Sequence, residues 1–263
     1  PKPSGAIDMT QGKPINLMLR FALPMMIGSI FQSLYSMVDS AVLGRFVGSH
    51  ALAAIGATTS TTGLILLLAT GVTSAISIVL SQYVGANNTD RVRKGIVASG
   101  WITLLLGVVL GLISVFAARP LMQLLKTPED VIDMSVLYIQ IVCGCGIAQF
   151  AYNAAASILR ALGDSKTPLY FLILCSILNV ILDLISVIGL NMGVAGVAVA
   201  TVGSQAISAA ICILVMFRKY PDLMPKRHTL RPDMPVSLKI FGMGAQMALQ
   251  SLFPVSYTHL RAH

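Results

Sequence analysis

The sequence predicts an all-α polytopic membrane protein, and three observations support this fold class. Of the 263 residues, 56% are hydrophobic and only 11% are charged, whereas charged residues make up about 25% of an ordinary soluble domain. The mean hydropathy is +0.81. Charges are confined to short segments between long runs that contain no Asp, Glu, Lys or Arg, namely 51–80, 95–118, 134–159 and 190–217. Uncharged runs of about 18 residues or more are candidate membrane spans.

The uncharged runs and their flanks define seven spans. We predict them at 15–41, 51–80, 95–118, 134–159, 167–188, 192–217 and, incompletely, 236–254. Backbone groups in lipid must be paired within the spanning structure, which leaves helices or a closed barrel. Barrel strands alternate in polarity over about 10 residues, and these runs are longer and continuously apolar. The spans are therefore predicted to be helices of one bundle.

The basic residues indicate how the bundle is oriented. With the N-terminus inside, the opposite side carries only Arg45, Arg119 and Lys126. The predicted cytoplasmic segments carry the others before the C-terminal tail: Lys2, Lys13, Arg20, Arg91, Arg93, Lys94, Arg160, Lys166, Arg218, Lys219, Lys226, Arg227, Arg231 and Lys239. This asymmetry follows the positive-inside rule. The net charge of +8 thus reports orientation in a plasma (inner) membrane with a cytoplasmic N-terminus, and no nucleic-acid partner is expected.

Two aspartates, Asp39 and Asp183, fall inside predicted spans. A carboxylate at a helix centre costs roughly 2.5 to 3.5 kcal/mol on insertion scales, so it is by default a candidate ion or proton site. Asn179 lies four residues before Asp183 and shares its helix face. Thr201 offers a hydroxyl at a plausible depth on the next helix.

A polar stripe precedes Asp39 on the first helix. Tyr35 lies four residues before it and Gln32 seven residues before it, so the stripe is expected to face a cavity. Carboxylate, amide and hydroxyl oxygens suit Na⁺ and equally a proton held among hydrogen-bond partners, so the ion stays open. The alternative is a structural network that only satisfies buried polar groups.

Enzyme chemistry finds no support in the sequence. There is no His-Glu-x-x-His zinc motif and no Gly-x-Ser-x-Gly nucleophile elbow. The sequence also lacks a phosphate-cradling loop with a lysine, so an ATP-driven pump is not indicated. No cofactor is expected beyond a coupling ion. Pro24 lies well inside the first helix, where it should kink the helix, either for packing or as a hinge.

Several motifs together resemble the multidrug and toxic compound extrusion (MATE) family. They are, in order, Met9-Thr10-Gln11-Gly12, Phe21-Ala22-Leu23-Pro24, Tyr35-Ser36-Met37-Val38-Asp39-Ser40-Ala41-Val42-Leu43-Gly44-Arg45, Ala51-Leu52-Ala53-Ala54-Ile55-Gly56, Arg160-Ala161-Leu162-Gly163-Asp164-Ser165-Lys166-Thr167-Pro168, and Asn179 with Asp183. Their order and spacing cover residues 9 to about 250.

The resemblance implies a twelve-helix transporter with two six-helix lobes around a central cavity. This chain would be the N-terminal lobe plus the start of helix seven. Its parts would be a cytoplasmic segment at 1–14, the lobe at 15–217, a cytoplasmic inter-lobe loop at 218–235 and the start of helix seven at 236–254. The missing C-terminal lobe would be a partner supplied by the same protein.

The resemblance also implies antiport, in which Na⁺ or H⁺ enters as a small organic, often cationic, compound leaves. By motif, a set of four residues is expected to form the N-lobe cation site, with Na⁺ as a possible metal: Asp39, Asn179, Asp183 and Thr201. Gln32, Tyr35 and Asn153 are expected to be cavity or network residues, and Pro24 the bending point of the first helix.

The final residues break the pattern. Residues 255–263 read Val-Ser-Tyr-Thr-His-Leu-Arg-Ala-His and lack the apolar periodicity of the preceding span. We expect this tail to be a non-native, adapter-derived stretch, and the natural chain to continue past Pro254. The chain also begins at Pro1 without a methionine, so residues before it are expected to be missing.

Two other functions remain open from the sequence. One is a lipid-linked precursor flippase of the same broad superfold, which would need a cationic cavity to hold a pyrophosphate head group. The predicted spans as assigned provide no such cavity. The other is a structural or assembly subunit whose buried polar residues are inert.

Overall fold

The structure is a computed structural model that describes residues 14–225 and 230–252. The predicted segment at 1–14, apart from its last residue, and the predicted tail at 255–263 lie outside these residues. Eight α-helices follow one another: α1 (Pro14–Phe46), α2 (Ser49–Gly85), α3 (Thr89–Leu124), α4 (Glu129–Gly144), α5 (Ile147–Ala161), α6 (Lys166–Asp183), α7 (Gly193–Lys219) and α8 (Met234–Leu252). The described part of the chain has no strand, and the predicted all-α class is confirmed.

Four helical segments are long and apolar enough to cross a membrane by length and composition: α2, α3, Lys166–Gly189, which includes α6, and α7. The bent pair of α4 and α5 makes a fifth if it counts as one span. The predicted spans at 15–41 and 236–254 correspond to α1 and α8, which are helical but are not among these candidates. Large apolar side chains are nevertheless exposed on the outside of the bundle, as at Met26 and Phe116, where lipid would cover them.

The span predicted at 134–159 is not one continuous helix. It is broken at Cys145 and Gly146, and α4 and α5 meet at an angle of 43°. Two glycines of α3 make room for the bend between α4 and α5, which we call the α4–α5 corner. A Cβ at Gly107 would lie 3.0 Å from the Ile147 Cα, and one at Gly111 would lie 2.9 Å from the Gly144 carbonyl oxygen. The corner and α3 are thus in backbone-to-backbone contact.

The span predicted at 167–188 changes its winding where it ends. After Asp183 the chain continues as a π-helix, Leu184–Gly189. A turn follows in which Asn191 and Gly193 have φ angles of 52° and 57°, and α7 starts there. Single π-helical turns are rare and often accompany functional sites. This one directly follows a buried carboxylate.

Helix α2 lies at the centre of the packing, against α8, α5, α4 and α3. The largest core cluster joins its second half to α3, α5, α7 and α8 through buried side chains that include Ile76, Leu80, Leu159, Cys212 and Ile240. Helices α1, α6 and α7 form a second group, since α6 packs on both α1 and α7. The site described below lies in this second group.

One buried carboxylate, Asp164, ties the α5–α6 turn to the end of α7. The Asp164 side chain is 2% exposed. Its Oδ2 accepts hydrogen bonds from Lys219 Nζ at 2.6 Å and from the Thr167 hydroxyl at 2.6 Å, and its Oδ1 accepts one from the Thr167 backbone N–H at 3.0 Å. The Tyr220 hydroxyl donates a further bond to Oδ2 at 3.3 Å. We call this end of the bundle the Asp164 end.

The donors around Asp164 decide its ionisation. Burial by itself would raise the pKa of this carboxyl, but the hydrogen bonds from Lys219 and Thr167 outweigh burial and hold the pKa below its ordinary value. The ionised, paired form is therefore the one that the folded bundle stabilises.

We expect Gly71→Ala to destabilise the contact of α2 with α8. A Cβ at Gly71 would lie 2.8 Å from the Ala248 backbone nitrogen and 2.9 Å from the Gly244 carbonyl oxygen. Because both are backbone atoms, the helices must separate, at roughly 1 to 3 kcal/mol. Thermal unfolding of the full-length protein in detergent measures the loss. The control is Gly63→Ala in the same helix, where a Cβ meets nothing within 4 Å; equal stability of the two variants would contradict the packing argument.

We expect Asp164→Asn to lower the free energy of unfolding by roughly 1 to 3 kcal/mol, the usual contribution of hydrogen bonds to a charged group. Because the folded pKa lies below the unfolded one, this stabilisation is complete above the unfolded pKa of about 3.9 and is lost as pH falls through the folded pKa. Denaturation measured between neutral and acid pH should show wild type and Asp164→Asn converging as pH falls. A constant difference between them would contradict a role for the charge.

Candidate cation site

The two membrane aspartates meet in the structure. Asp183, the last residue of α6, is fully buried, with 0% of its surface exposed. Asn179 lies one turn earlier on the same helix and is 1% exposed. Asp39 comes from α1, and its carboxylate lies against that of Asp183. Two carboxylates side by side in an apolar interior repel each other unless a proton or a cation lies with them.

Most oxygens of this cluster have no hydrogen-bond partner. Both carboxylate oxygens of Asp183, the Oδ1 atom of Asn179 and the Oδ1 atom of Asp39 are buried and unpaired. Buried polar groups in proteins are almost always paired. Four unpaired acceptor oxygens in one place make this cluster the candidate cation site.

Thr201 completes the cluster from α7. The Asn179 Nδ2 atom lies 3.5 Å from its Oγ1, a long hydrogen bond, while the Thr201 hydroxyl donates to the Val197 carbonyl oxygen at 2.9 Å. The Thr201 oxygen keeps lone-pair capacity that a cation could use. The donor set is thus two carboxylates, one amide oxygen and one hydroxyl, which fits Na⁺. Within the described residues no group of three His, Cys, Asp or Glu side chains comes together, so a transition-metal centre is not indicated there.

Apolar packing surrounds the cluster on the far side from the Asp164 end. Val42 and Leu43 of α1 pack with Val187 of the π-helix and Val197 of α7. This arrangement packs α1 beside the end of α6 and shields one side of the cluster from water. A cation bound there would interact with the oxygens in a medium that screens charge less than water does.

Sequence reasoning missed Tyr138. This side chain of α4 is partly buried against the apolar cluster and is an electrostatic neighbour of Asp39, Tyr35 and Asp183. A tyrosine in the middle of an apolar run carries no spacing signal, so only helix packing could reveal it. Tyr35 itself is next to both Asp39 and Gln32, as the predicted stripe requires.

Three other predicted residues line a separate cavity of about 170 Å³ between α1, α5 and α6, and Tyr35 is not one of them. Its walls are Pro24, Met25, Gly28, Ser29, Gln32, Tyr152, Asn153, Ala156, Arg160, Ser165, Pro168, Leu169 and Leu172. The predicted site residues therefore divide into two sets. Asp39, Asn179, Asp183 and Thr201 form the cluster, whereas Pro24, Gln32 and Asn153 line the cavity.

Arg160 was predicted just outside the span at 134–159, in a cytoplasmic segment, and the structure adds that its side chain lines this cavity. It belongs to the last turn of α5 and lines the cavity. The spacing of Asn153, Ala156 and Arg160 at three and four residues places them on one helix face. That spacing could have revealed Arg160, had the helix been extended past residue 159.

Comparisons with known proteins agree with this fold. The chain is 31% identical over 249 residues to the probable multidrug resistance protein YpnP of Bacillus subtilis (strain 168), a match that covers 94% of this chain and 55% of the relative. A solved structure described as an outward-facing conformation of a multidrug resistance MATE family transporter of the MOP superfamily matches with a TM-score of 0.88 at 24% identity, over 96% of this chain and 56% of that one. A crystal structure of MATE in the bent conformation matches with a TM-score of 0.84 at 25% identity, over 92% and 54%.

The chain spans about half the length of the curated relatives it matches, as the predicted single lobe requires. The MatE family model matches residues 24–185, which include Asp39, Asn179 and Asp183. The chain thus belongs to the MatE family, the multidrug and toxic compound extrusion transporters.

Proposed function

We propose that the full-length protein is a secondary antiporter that exports small organic, often cationic, compounds in exchange for Na⁺ or H⁺. Asp39, Asn179, Asp183 and Thr201 bind the coupling ion. The observation that carries the proposal is the cluster of unpaired buried oxygens, because such a cluster is stable only when a positive charge balances it. No cofactor takes part other than the coupling ion.

The mechanism follows from which helices supply the oxygens. Asp39 belongs to α1, and Asp183 and Asn179 belong to α6. When a cation or proton is bound, it cancels the repulsion between the carboxylates and holds α1 against α6. When the ion leaves, the repulsion returns and pushes α1 away. Occupancy of the site thereby selects between two positions of α1.

The position of α1 is coupled to the cavity because α1 forms one of its walls. Pro24 and Gln32 of α1 both line the cavity. Pro24 lacks a backbone N–H and interrupts the helix hydrogen bonds at this level, so bending is easiest there. An ion that changes the position of α1 changes the surface that this lobe contributes to the transport path, and with it the affinity for an organic compound; by reciprocity the compound changes the affinity for the ion.

The rest of the protein supplies what this chain lacks. The chain spans about half of its relatives, so a second lobe of the same protein would form the opposite wall of a central cavity. We place the protein in the plasma (inner) membrane as a multi-pass protein with a cytoplasmic N-terminus, on the basis of the basic residues at the Asp164 end and in the flanking loops.

We expect Asp39→Asn and Asp183→Asn in the full-length protein each to reduce ion-driven efflux at least about tenfold, which corresponds to the loss of a typical coupling free energy, while membrane insertion is unchanged. Efflux of a fluorescent organic cation from vesicles under an imposed Na⁺ or pH gradient measures this. Asp133→Asn is the matched control, because Asp133 is an exposed partner of Arg119. Wild-type efflux from both site variants would contradict the proposal and favour an inert structural role.

We expect Pro24→Ala to slow efflux by about tenfold, because it restores a backbone hydrogen bond and stiffens α1 at the bend. Binding of the organic cation at equilibrium should change much less than its transport rate. Pro120→Ala in α3 is the control, since Pro120 is also inside a helix but does not line the cavity. An equal effect of both substitutions would assign Pro24 to packing alone.

A further inference from the structure

The cavity between α1, α5 and α6 contains a positive charge without a matching negative one. Arg160 forms a hydrogen bond from its guanidinium to the Ser157 hydroxyl at 2.9 Å. The ion pairs of the described residues do not include it. A guanidinium has five N–H donors, and one neutral oxygen leaves most of them available on a partly buried side chain.

The carboxylate that follows Arg160 most closely in sequence already has its own hydrogen-bond donors. Asp164 follows Arg160 by four residues, but its oxygens accept hydrogen bonds from Lys219, Thr167 and Tyr220. The ion pair with Lys219 balances the Asp164 charge at this point. Arg160 is therefore left as the uncompensated charge beside the cavity.

A second polar group of the same cavity is also unpaired. Ser165 lines the cavity, is 4% exposed, and its hydroxyl has no hydrogen-bond partner. Ser165 immediately precedes α6. An unpaired hydroxyl donor and a guanidinium thus lie around one space, and both can donate hydrogen bonds to an anion.

We propose that this cavity binds a phosphate-bearing anion through Arg160 and Ser165. Arginine binds phosphate and carboxylate oxygens in pairs, and the donors here come from α5 and from the start of α6, which suits a group with oxygens in several directions. The cavity, at about 170 Å³, has room for a phosphate and a few attached carbon atoms.

This site is distinct from the proposed coupling site, since Asp39, Asn179, Asp183 and Thr201 do not line the cavity. Its chemistry is also opposite, because it attracts negative charge. The phosphate can come from the head group of an anionic phospholipid or from free phosphate in solution. The apolar walls contributed by Met25, Leu169 and Leu172 would contact the carbon atoms of a lipid.

The test uses the full-length protein, freed of lipid in detergent, with three probes: phosphatidylglycerol, phosphatidylcholine and inorganic phosphate. Native mass spectrometry measures retained lipid, and thermal unfolding measures stabilisation by each probe. We expect phosphatidylglycerol to bind the wild-type protein at least about tenfold more tightly than phosphatidylcholine, with Arg160→Gln abolishing this preference. Arg218→Gln is the matched control, because it removes the same charge from an exposed position at the same end of the bundle.

If Arg160→Gln fails to fold, a smaller substitution still tests the proposal. Ser165→Ala removes one hydroxyl and should weaken binding of the phosphate-bearing probe about threefold, the contribution of one hydrogen bond of moderate strength. Stabilisation by inorganic phosphate alone, lost in Arg160→Gln, would support the site with free phosphate as its ligand. Equal binding of both lipids with no effect of phosphate, or equal results for Arg160→Gln and Arg218→Gln, would overturn the proposal.

Discussion

The repulsion between two carboxylates in an apolar interior is the constraint on which the α1, α6 and α7 group depends. Asp39 and Asp183 come from different helices, and both oxygens of Asp183 and the Oδ1 atom of Asp39 are buried without a hydrogen-bond partner. Removal of even one charge from water is unfavourable, and two adjacent negative charges are more so. A bound proton or cation would relieve this repulsion, and this is why we propose that ion binding and the position of α1 are coupled.

The third buried carboxylate shows what the other two lack. Asp164 is nearly as deeply buried as Asp183, yet its oxygens accept hydrogen bonds from a lysine, a threonine and a tyrosine. It joins two helix ends permanently. All three residues are aspartates, so the residue type does not explain the difference between Asp164 and the membrane pair. The difference is the presence of donors, which makes Asp164 a structural tie and leaves Asp183 without a hydrogen-bond partner in the structure.

Arg160 is the counterpart of opposite sign. Like the aspartate pair, it is largely without partners of opposite charge. It lies at the Asp164 end of the lobe and lines the cavity that Gln32 and Asn153 also line. The lobe thus presents unpaired negative charge at one level and unpaired positive charge at another. Helix α1 passes both, with Asp39 in the first and Pro24 in the second. A movement of α1 would alter both together.

The sequence by itself determined the all-α class, most span positions and the family, because long uncharged runs and short motifs are local properties. It also determined that Asn179 and Asp183 share a face, since a spacing of four residues in a helix fixes this. Only the tertiary structure decided that Asp39 meets Asp183, that Tyr138 stands beside them, that the predicted span at 134–159 is bent at Cys145, and that Arg160 faces a cavity. These depend on which helices pack together and how closely, for example on the glycines of α3 that admit the α4–α5 corner. Helical periodicity says which residues lie on one face, but it does not say what that face meets.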